Sequence, residues 1–500
     1  MSSIRKVTLI EPKPAGYHVY SRVALPRLGL PILGALLKRR GVDVAIYCQD
    51  FHEIDYADVL ASDLVGISTT TSTAPEGYKI AERVRAAGIP VVMGGSHVSF
   101  LPDEALTHAD FCARGEGEHT LIELVDAIES GSGFGSIAGL SYRIGDENRH
   151  NPPRGLIHDL DSLPFPDLSL IRGREKVKLT PVATSRGCPY NCNFCSVIKM
   201  FGRGCRHRSI ENVIEELEYL KPSTVFFYDD NFAGDKERAK RLLDRMLSKG
   251  ITPRWTAQVR ADVAKDKELL ALMKRSNCYI VYVGFESVNP ATLKEFNKHQ
   301  SVKEITEAVR VIREHGIMIH GMFVFGAEND DVASLRAATD FSLRTGIDTV
   351  QFMTLTPLPG TQYFDEMERD DRLLTRDWNL YDGQHVVYQP RKMSPYELQK
   401  ETFKAMKRFY SVWECVKMVV GPEFVKFAAR FNVNLLLGRW HSARRQLNAG
   451  MLRWFYRAYG HVLIRRWEAA NKDFGERIKA LAEKARLLRA HKQPSPRKAD

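Results

Sequence analysis

The sequence predicts an α/β protein in three parts: a doubly wound parallel sheet, a partial (β/α)6 barrel and a C-terminal helical region. Three observations carry this. Through the first 130 residues, short and almost continuously apolar runs alternate with amphipathic helical patterns. The alternation breaks at a proline- and charge-rich stretch and restarts at residue 176, and β signals end after residue 375. At 500 residues the chain is too long for one core, so several domains are expected.

In order, "KVTLIEP" reads as a strand and "RLGLPILGALLKRRG" as a helix ending on Gly41. "VDVAIY", "LVGIST" and "IPVVMGG" are further strands, the last preceded by the helix "EGYKIAERVRAAG". "FCARGEGEHTLIELVDAIESG" adds a short strand, a turn and a helix, completing a domain over residues 1–144. Strands apolar on both faces belong to a parallel sheet covered by helices, and its ligands lie beyond the carboxyl ends of the strands. That edge holds Ser68, Thr70, Gly94, Gly95, Gly115 and Glu116. Residues 145–175, rich in proline and charge, read as an interdomain linker. "PVATS", "STVFFYDDN", "RWTAQVRAD", "CYIVYVGFES", "IMIHGMFVFG" and "IDTVQFMTLTPLPG" are the barrel strands of residues 176–375. Residues 376–500 read as a helical extension with the charged end "AHKQPSPRKAD".

With 44% apolar and 27% charged residues, the composition is that of a globular protein. No segment reaches the roughly 18–20 uninterrupted apolar residues of a membrane span, and "MSSIRKVTLIEPKP" lacks a secretory core. A cytoplasmic location is expected, where eight cysteines do not form a disulfide framework. Cys48, Cys112, Cys205, Cys278 and Cys415 are scattered and read as small buried hydrophobes. The charge is uneven: residues 401–500 hold 22 Lys and Arg against 8 Asp and Glu, while the first 400 are nearly neutral. Such a tail points to a surface partner.

The exception among the cysteines is "TSRGCPYNCNFCSV", which sets Cys188, Cys192 and Cys195 within eight residues. A structural zinc would need a fourth ligand, for which Cys205 or His207 is available. However, the triplet directly follows the first barrel strand, on the face where such folds keep their chemistry. Three thiolates on a cubane cluster leave one iron free to bind something else.

The pattern C-x-x-x-C-x-aromatic-C, with Phe194 before the last cysteine, resembles the signature of the radical S-adenosylmethionine (SAM) enzymes. The resemblance implies a 4Fe–4S cluster on Cys188, Cys192 and Cys195, whose open iron chelates the amino and carboxylate groups of SAM. An electron from the cluster then breaks the sulfonium C–S bond, giving a 5′-deoxyadenosyl radical. Later segments are similar to the family's other motifs. They suggest Asp230 in "YDDN" for the SAM amino group, Arg260 in "QVRAD" for its carboxylate, Glu286 in "GFES" for the ribose and Gly321 in "GMFVFG" for the adenine.

The first domain resembles the cobalamin-binding, Rossmann-like domain of one radical SAM subclass, through "GIST", "MGGSHVSFLPDEAL" and "RGEGEHTLIEL". Glycine there lets backbone approach a flat macrocycle. Many cobalamin proteins carry a D-x-H-x-x-G loop after strand one. Here that loop reads "EPKPAGYHVYSRVALP", and "DFHEID" after strand two is a decoy that leaves His52 on the surface. His18, in the right loop, reads as a surface residue. The methylthiotransferase branch is set aside, because the first domain has only Cys48 and Cys112 where that branch needs three further cluster cysteines.

The subclass implies methylation of an unactivated carbon, with one SAM methylating cobalamin and a second supplying the radical. Cyclisation without methyl transfer is the rival on the same scaffold, and a cobalamin carrier or iron–sulfur sensor the rival of another class. "TPLPGTQYFDEM" and "DWNLYDGQHVVYQPRKMSPYELQKE" are similar to relatives acting on hopanoid lipids and magnesium-porphyrin esters, which suggests a small hydrophobic substrate. A reductant of flavodoxin or ferredoxin type is implied. In the tail, Trp454, Phe455, Tyr456, Tyr459 and Trp467 interleave with Arg453, Arg457, Arg465 and Arg466. This suits a helix at the inner membrane surface, with packing on the barrel as the alternative and nucleic acid less favoured.

Overall fold

The structure, a computed structural model, describes residues 3–17, 25–420, 428–429, 431–433, 436 and 440–492. Its first sheet contains β1 (Lys6–Glu11), β2 (Asp43–Cys48), β3 (Leu64–Ser68), β4 (Val91–Gly94), β5 (Phe111–Ala113), β6 (Leu140–Ile144) and β7 (Glu147–His150), ordered β2-β1-β3-β4-β5-β6-β7. The first five strands are parallel. Leu9, Ile46 and Val92 bury one face with residues of the Gly29–Arg39 and Glu118–Ser130 helices. Ile10, Val65 and Met93 bury the other with the Ala74–Ala86 helix. The strand order reverses between β1 and β3, so the crevice beyond their carboxyl ends is the natural ligand site.

Residues 145–175 are less of a linker than the sequence predicts. β6 and β7 form an antiparallel hairpin turning at Gly145, whose φ of +59° suits glycine. The rest runs between the two domains: Ile171 bridges to Ile46 and the Arg172 N–H donates to the Ile46 carbonyl at 2.9 Å, while Asp161 accepts from the barrel's Ser209 N–H at 2.9 Å. The hairpin's outer strand is charged and exposed, so it lacks the apolar run by which the other strands are recognised.

The second sheet contains β8 (Thr180–Val182), β11 (Thr224–Phe227), β12 (Arg254–Val259), β13 (Cys278–Glu286), β14 (Met318–Phe325) and β15 (Thr349–Thr354), all parallel and ordered β15-β14-β13-β12-β11-β8. Between the first two, the short strands β9 (Ser185–Arg186) and β10 (Arg206–His207) pair antiparallel. All six barrel strands fall where the apolar runs predict them. Alternate residues such as Phe227, Trp255, Val283, Phe285, Ile319 and Phe352 join the core beneath the helices. The intervening positions, among them Phe226, Tyr282, His320, Met322 and Met353, line the barrel's inner face.

The Pro395–Phe409 helix packs on this body through Leu398, Met406 and Phe409. The Trp440–Ala470 helix crosses the start of β15. There the Arg457 guanidinium donates to the Ile347 carbonyl at 2.9 Å and lies 4.0 Å over the Phe409 ring, while Arg453 pairs with Asp348. Trp467 is buried against Phe403, with ring centroids 4.9 Å apart. One side of the tail helix is therefore structural.

Candidate active site at the barrel mouth

The cysteine loop is anchored before it begins. Asp229, fully buried at the end of β11, accepts hydrogen bonds from the Thr184 N–H (3.2 Å), the Thr184 hydroxyl (3.1 Å) and the Ser185 hydroxyl. Burial raises its pKa, and these donors oppose the rise. The chain then turns at Gly187, which has φ +90° and no room for a Cβ, since one would lie 2.5 Å from the Gly204 carbonyl. The Gly187 N–H donates to Asp230 at 3.2 Å, and the Cys195 N–H to the Cys192 carbonyl at 3.2 Å. This fold brings the three thiols within electrostatic reach of one another.

Burial raises the Cys188 thiol pKa and pushes that of Cys195 up to about 12, with Cys192 and Asp230 adding repulsion. Three thiolates beside a carboxylate need a cationic partner, and a cluster iron fits that donor set. Cys205 lies close behind the loop, near enough to Cys188 and Asp230 to feel their charge; its thiol donates to the Gly187 carbonyl at 3.5 Å, and burial pushes it to about 11. Among the described residues no three His, Cys, Asp or Glu converge tightly enough for one ion. That geometry does not count against a cluster, whose thiolates bind separate irons.

Beside the loop, the structure holds polar groups suited to SAM. Burial raises Asp230 to about 6. The Arg260 guanidinium lies 3.7 Å over the Tyr190 ring and donates to the Lys298 carbonyl, while its Nε is buried without a partner. Asn193 Oδ1 and Asn231 Oδ1, on the same two loops as the cysteines and Asp230, are also buried and unpartnered. Such orphans mark a place where a polar ligand completes the hydrogen bonding. Tyr190, Asn193 and Asn231 sit inside motifs quoted above, yet the spacing alone gives them no role.

Glu286 ends β13 in a left-handed conformation (φ +62°) and pairs with buried Lys298 at 2.8 Å. Strain of this kind is held in place by its surroundings: a Cβ on Gly284 would come 2.6 Å from the Glu286 carboxylate. Phe194 packs on Phe296 at 4.7 Å. Gly321, expected beside the adenine, faces the core with its missing side chain. It shares the core-facing side of β14 with Ile319 and Phe323, and an added Cβ would meet Ile347 at 3.2 Å. Its missing side chain serves packing, which leaves only its backbone for a nucleoside.

At the carboxyl edge of the first sheet, Gly95 (φ +98°) lies against Thr69, where a Cβ would be 2.2 Å from the carbonyl oxygen. A Cβ on Gly94 would meet only Ala113, its carbonyl at 3.6 Å and its Cβ at 4.0 Å, and Gly115 faces open space. Ser68 ends β3 opposite Gly94, and Thr70 caps the next turn with its hydroxyl 3.4 Å from Arg27. This is a bare-backbone cradle of the kind a corrin ring requires. Glu116 differs: its carboxylate is turned from the cradle into the seam between the domains, where Arg186 and Arg206 hold it. His52 is on the surface with Nδ1 2.7 Å from the Glu53 carbonyl, and His18 lies outside the described residues.

Comparison with known proteins settles the class. Residues 182–338 match the Radical SAM superfamily and residues 19–125 the B12 binding domain. The chain is 34% identical over 404 residues to an uncharacterized methyltransferase of Pyrococcus horikoshii, a match spanning 77% of this chain and 88% of that protein. It belongs to the cobalamin-dependent radical SAM methyltransferases. This radical SAM methyltransferase is also 30% identical over 451 residues to the bacteriochlorophyllide d C-12(1)-methyltransferase of Chlorobaculum tepidum, covering 88% of this chain and 94% of that one. Its fold matches that of the radical SAM methyltransferase TsrM from Kitasatospora setae, with TM-score 0.63, 20% identity and coverage of 80% and 81% of the two chains. The enzyme accordingly uses a 4Fe–4S cluster, SAM and cobalamin.

Proposed function

We propose that this enzyme transfers a methyl group from SAM to an unactivated carbon of a small hydrophobic, pigment- or lipid-like substrate. The observation that carries the reading is the meeting of two sites across one seam: the cysteine loop of the barrel and the glycine cradle of the first sheet. When bound, the cluster with SAM supplies hydrogen-abstracting radical chemistry and cobalamin carries the methyl group. The chain's own work is to position and enclose. Cys188, Cys192 and Cys195 would hold the cluster, while Asp230 and Arg260 would orient the amino-acid end of SAM. Gly94, Gly95 and Gly115 would admit the corrin.

A hydrophobic substrate is supported by the inner face of the barrel. Phe226, Tyr228, Tyr282, Met322 and Met353 line it, with Thr256, Gln258, His320, Thr349 and Gln351 as polar groups. Burial lowers the His320 pKa to about 4, so this ring stays neutral at physiological pH. The Chlorobaculum relative, which resembles this chain along most of its length, is named for bacteriochlorophyllide d. The test is anaerobic reaction with methyl-labelled SAM, a flavodoxin- or ferredoxin-type reductant, and pigment and lipid extracts. A product heavier by one CH2 and carrying the label is expected. SAM consumption with a product of altered structure but no label would favour rearrangement.

The outer side of the tail helix supports a location at an anionic membrane surface. Met451, Trp454, Phe455, Tyr459 and Val462 are exposed, as are Arg465 and Arg466, and Trp413 is 65% exposed on the neighbouring helix. No described helix is long and apolar enough to cross a membrane. Each basic residue near an anionic leaflet adds about 1 kcal/mol, and aromatic side chains anchor at the interface. Full-length protein is expected to sediment with anionic liposomes at low salt. Replacing Trp454, Phe455 and Tyr459 together by Ser should release it, with the structural side of the helix untouched. Protein that stays in the supernatant with anionic liposomes would contradict the membrane reading.

A further inference from the structure

Glu116 belongs to the loop that follows β5, between Gly115 and Gly117, at the cobalamin edge of the first sheet. Its side chain is only 2% exposed, and both carboxylate oxygens are taken up across the domain seam. Oε1 accepts from Arg186 Nη1 at 2.7 Å and from Arg206 Nη2 at 3.0 Å. Oε2 accepts from Arg206 Nη1 at 2.9 Å and from the Ile157 N–H at 2.7 Å. Arg186 extends the network with its other nitrogen to Glu118 at 2.5 Å, and Arg206 donates to the Ile157 carbonyl.

The partners are as telling as the distances. Arg186 immediately precedes Gly187 and Cys188, and Arg206 pairs with it across the β9–β10 ladder. Two adjacent guanidinium groups would repel each other without the carboxylates of Glu116 and Glu118 between them. Arg206 grips Glu116 with two nitrogens, which fixes direction as well as distance. The glycine on either side leaves the Glu116 loop little stiffness of its own, so these bonds set where it stands.

We propose that Glu116, Arg186 and Arg206 form a clamp that locks the corrin-facing loop to the cluster loop and so sets the separation of the two reaction centres. The proposal deepens the function given above and rests on it. Glu116 is a positioning residue: it reaches neither centre itself but joins the two loops that do.

The test compares wild-type protein with Glu116→Gln, with Arg206→Lys, which keeps the charge but loses the fork, and with Arg336→Gln, which breaks the distant Arg336–Glu401 pair. The first readout needs no cofactor. Amide hydrogen exchange in peptides covering residues 113–118 and 185–188 should quicken about tenfold or more in the first two variants and stay unchanged in the third. In loaded protein, both clamp variants should keep cluster, corrin and 5′-deoxyadenosine formation. The magnetic coupling between reduced cluster and cob(II)alamin, read by electron paramagnetic resonance, should lose its single wild-type value.

Unchanged exchange and coupling in Glu116→Gln would overturn the clamp. So would loss of corrin with unchanged exchange, because Glu116 would then be a cofactor ligand. If Glu116→Gln does not fold, the same two outcomes are read from Arg206→Lys. Wild-type protein that binds no corrin would fail the functional reading, while the cofactor-free exchange still decides the clamp.

Discussion

Alanine at Cys188, Cys192 or Cys195 is expected to remove the iron–sulfur absorption and reduce 5′-deoxyadenosine formation to background, whereas Cys205→Ala retains both. The cause is the arrangement of the loop. Each of the three thiols would supply one cluster ligand, and burial together with mutual repulsion opposes their ionisation until a cation is bound. The Cys205 thiol donates to the Gly187 carbonyl behind the loop, so its loss removes one weak hydrogen bond and no ligand. Iron and sulfide analysis with chromatography of the SAM products checks both halves. A triple Cys→Ala protein that still formed 5′-deoxyadenosine would refute the cluster assignment.

The next largest effect is expected at the glycine cradle, where neighbouring residues should fail in different ways. Gly94→Phe should leave the cofactor-free protein within about 1 kcal/mol of wild-type stability, since the first atom added there makes only ordinary contact with Ala113, yet it should exclude corrin. Gly95→Ala should cost about 1–3 kcal/mol before any cofactor is added, because φ is +98° and the new Cβ meets the Thr69 backbone. Thermal unfolding of the cofactor-free proteins and corrin absorption after cobalamin supply separate the two. Full corrin binding by Gly94→Phe would remove the cradle from the cofactor's path.

Much of this was legible in the residues. The barrel strands stand out because both faces are apolar, and the cysteine triplet because its spacing is tight and local. The β6–β7 hairpin hid because its outer strand is polar and exposed, although Gly145–Asp146 between short runs is a turn signal. The sequence puts Glu116 on the loop after β5, beside the expected cobalamin edge. Its use was not legible, because its partners lie 70 and 90 residues away and only the docking of the domains brings them together. Gly321 shows the same limit on a smaller scale: whether a strand glycine faces a ligand or a helix depends on register, which its neighbours in sequence do not reveal. In the tail, the single run of aromatic and basic residues is divided between two faces. Arg457, Ile464 and Trp467 are buried, while Trp454 and Phe455 are exposed.

The most direct test of the whole account is the metal and cofactor content of full-length protein, purified anaerobically after expression with iron and cobalamin supply. Elemental analysis with absorption spectroscopy should find one 4Fe–4S cluster and one corrin on the same chain, the first lost with the cysteines and the second with Gly94→Phe. Zinc at the cysteines, or a cluster without corrin under full cobalamin supply, would contradict it.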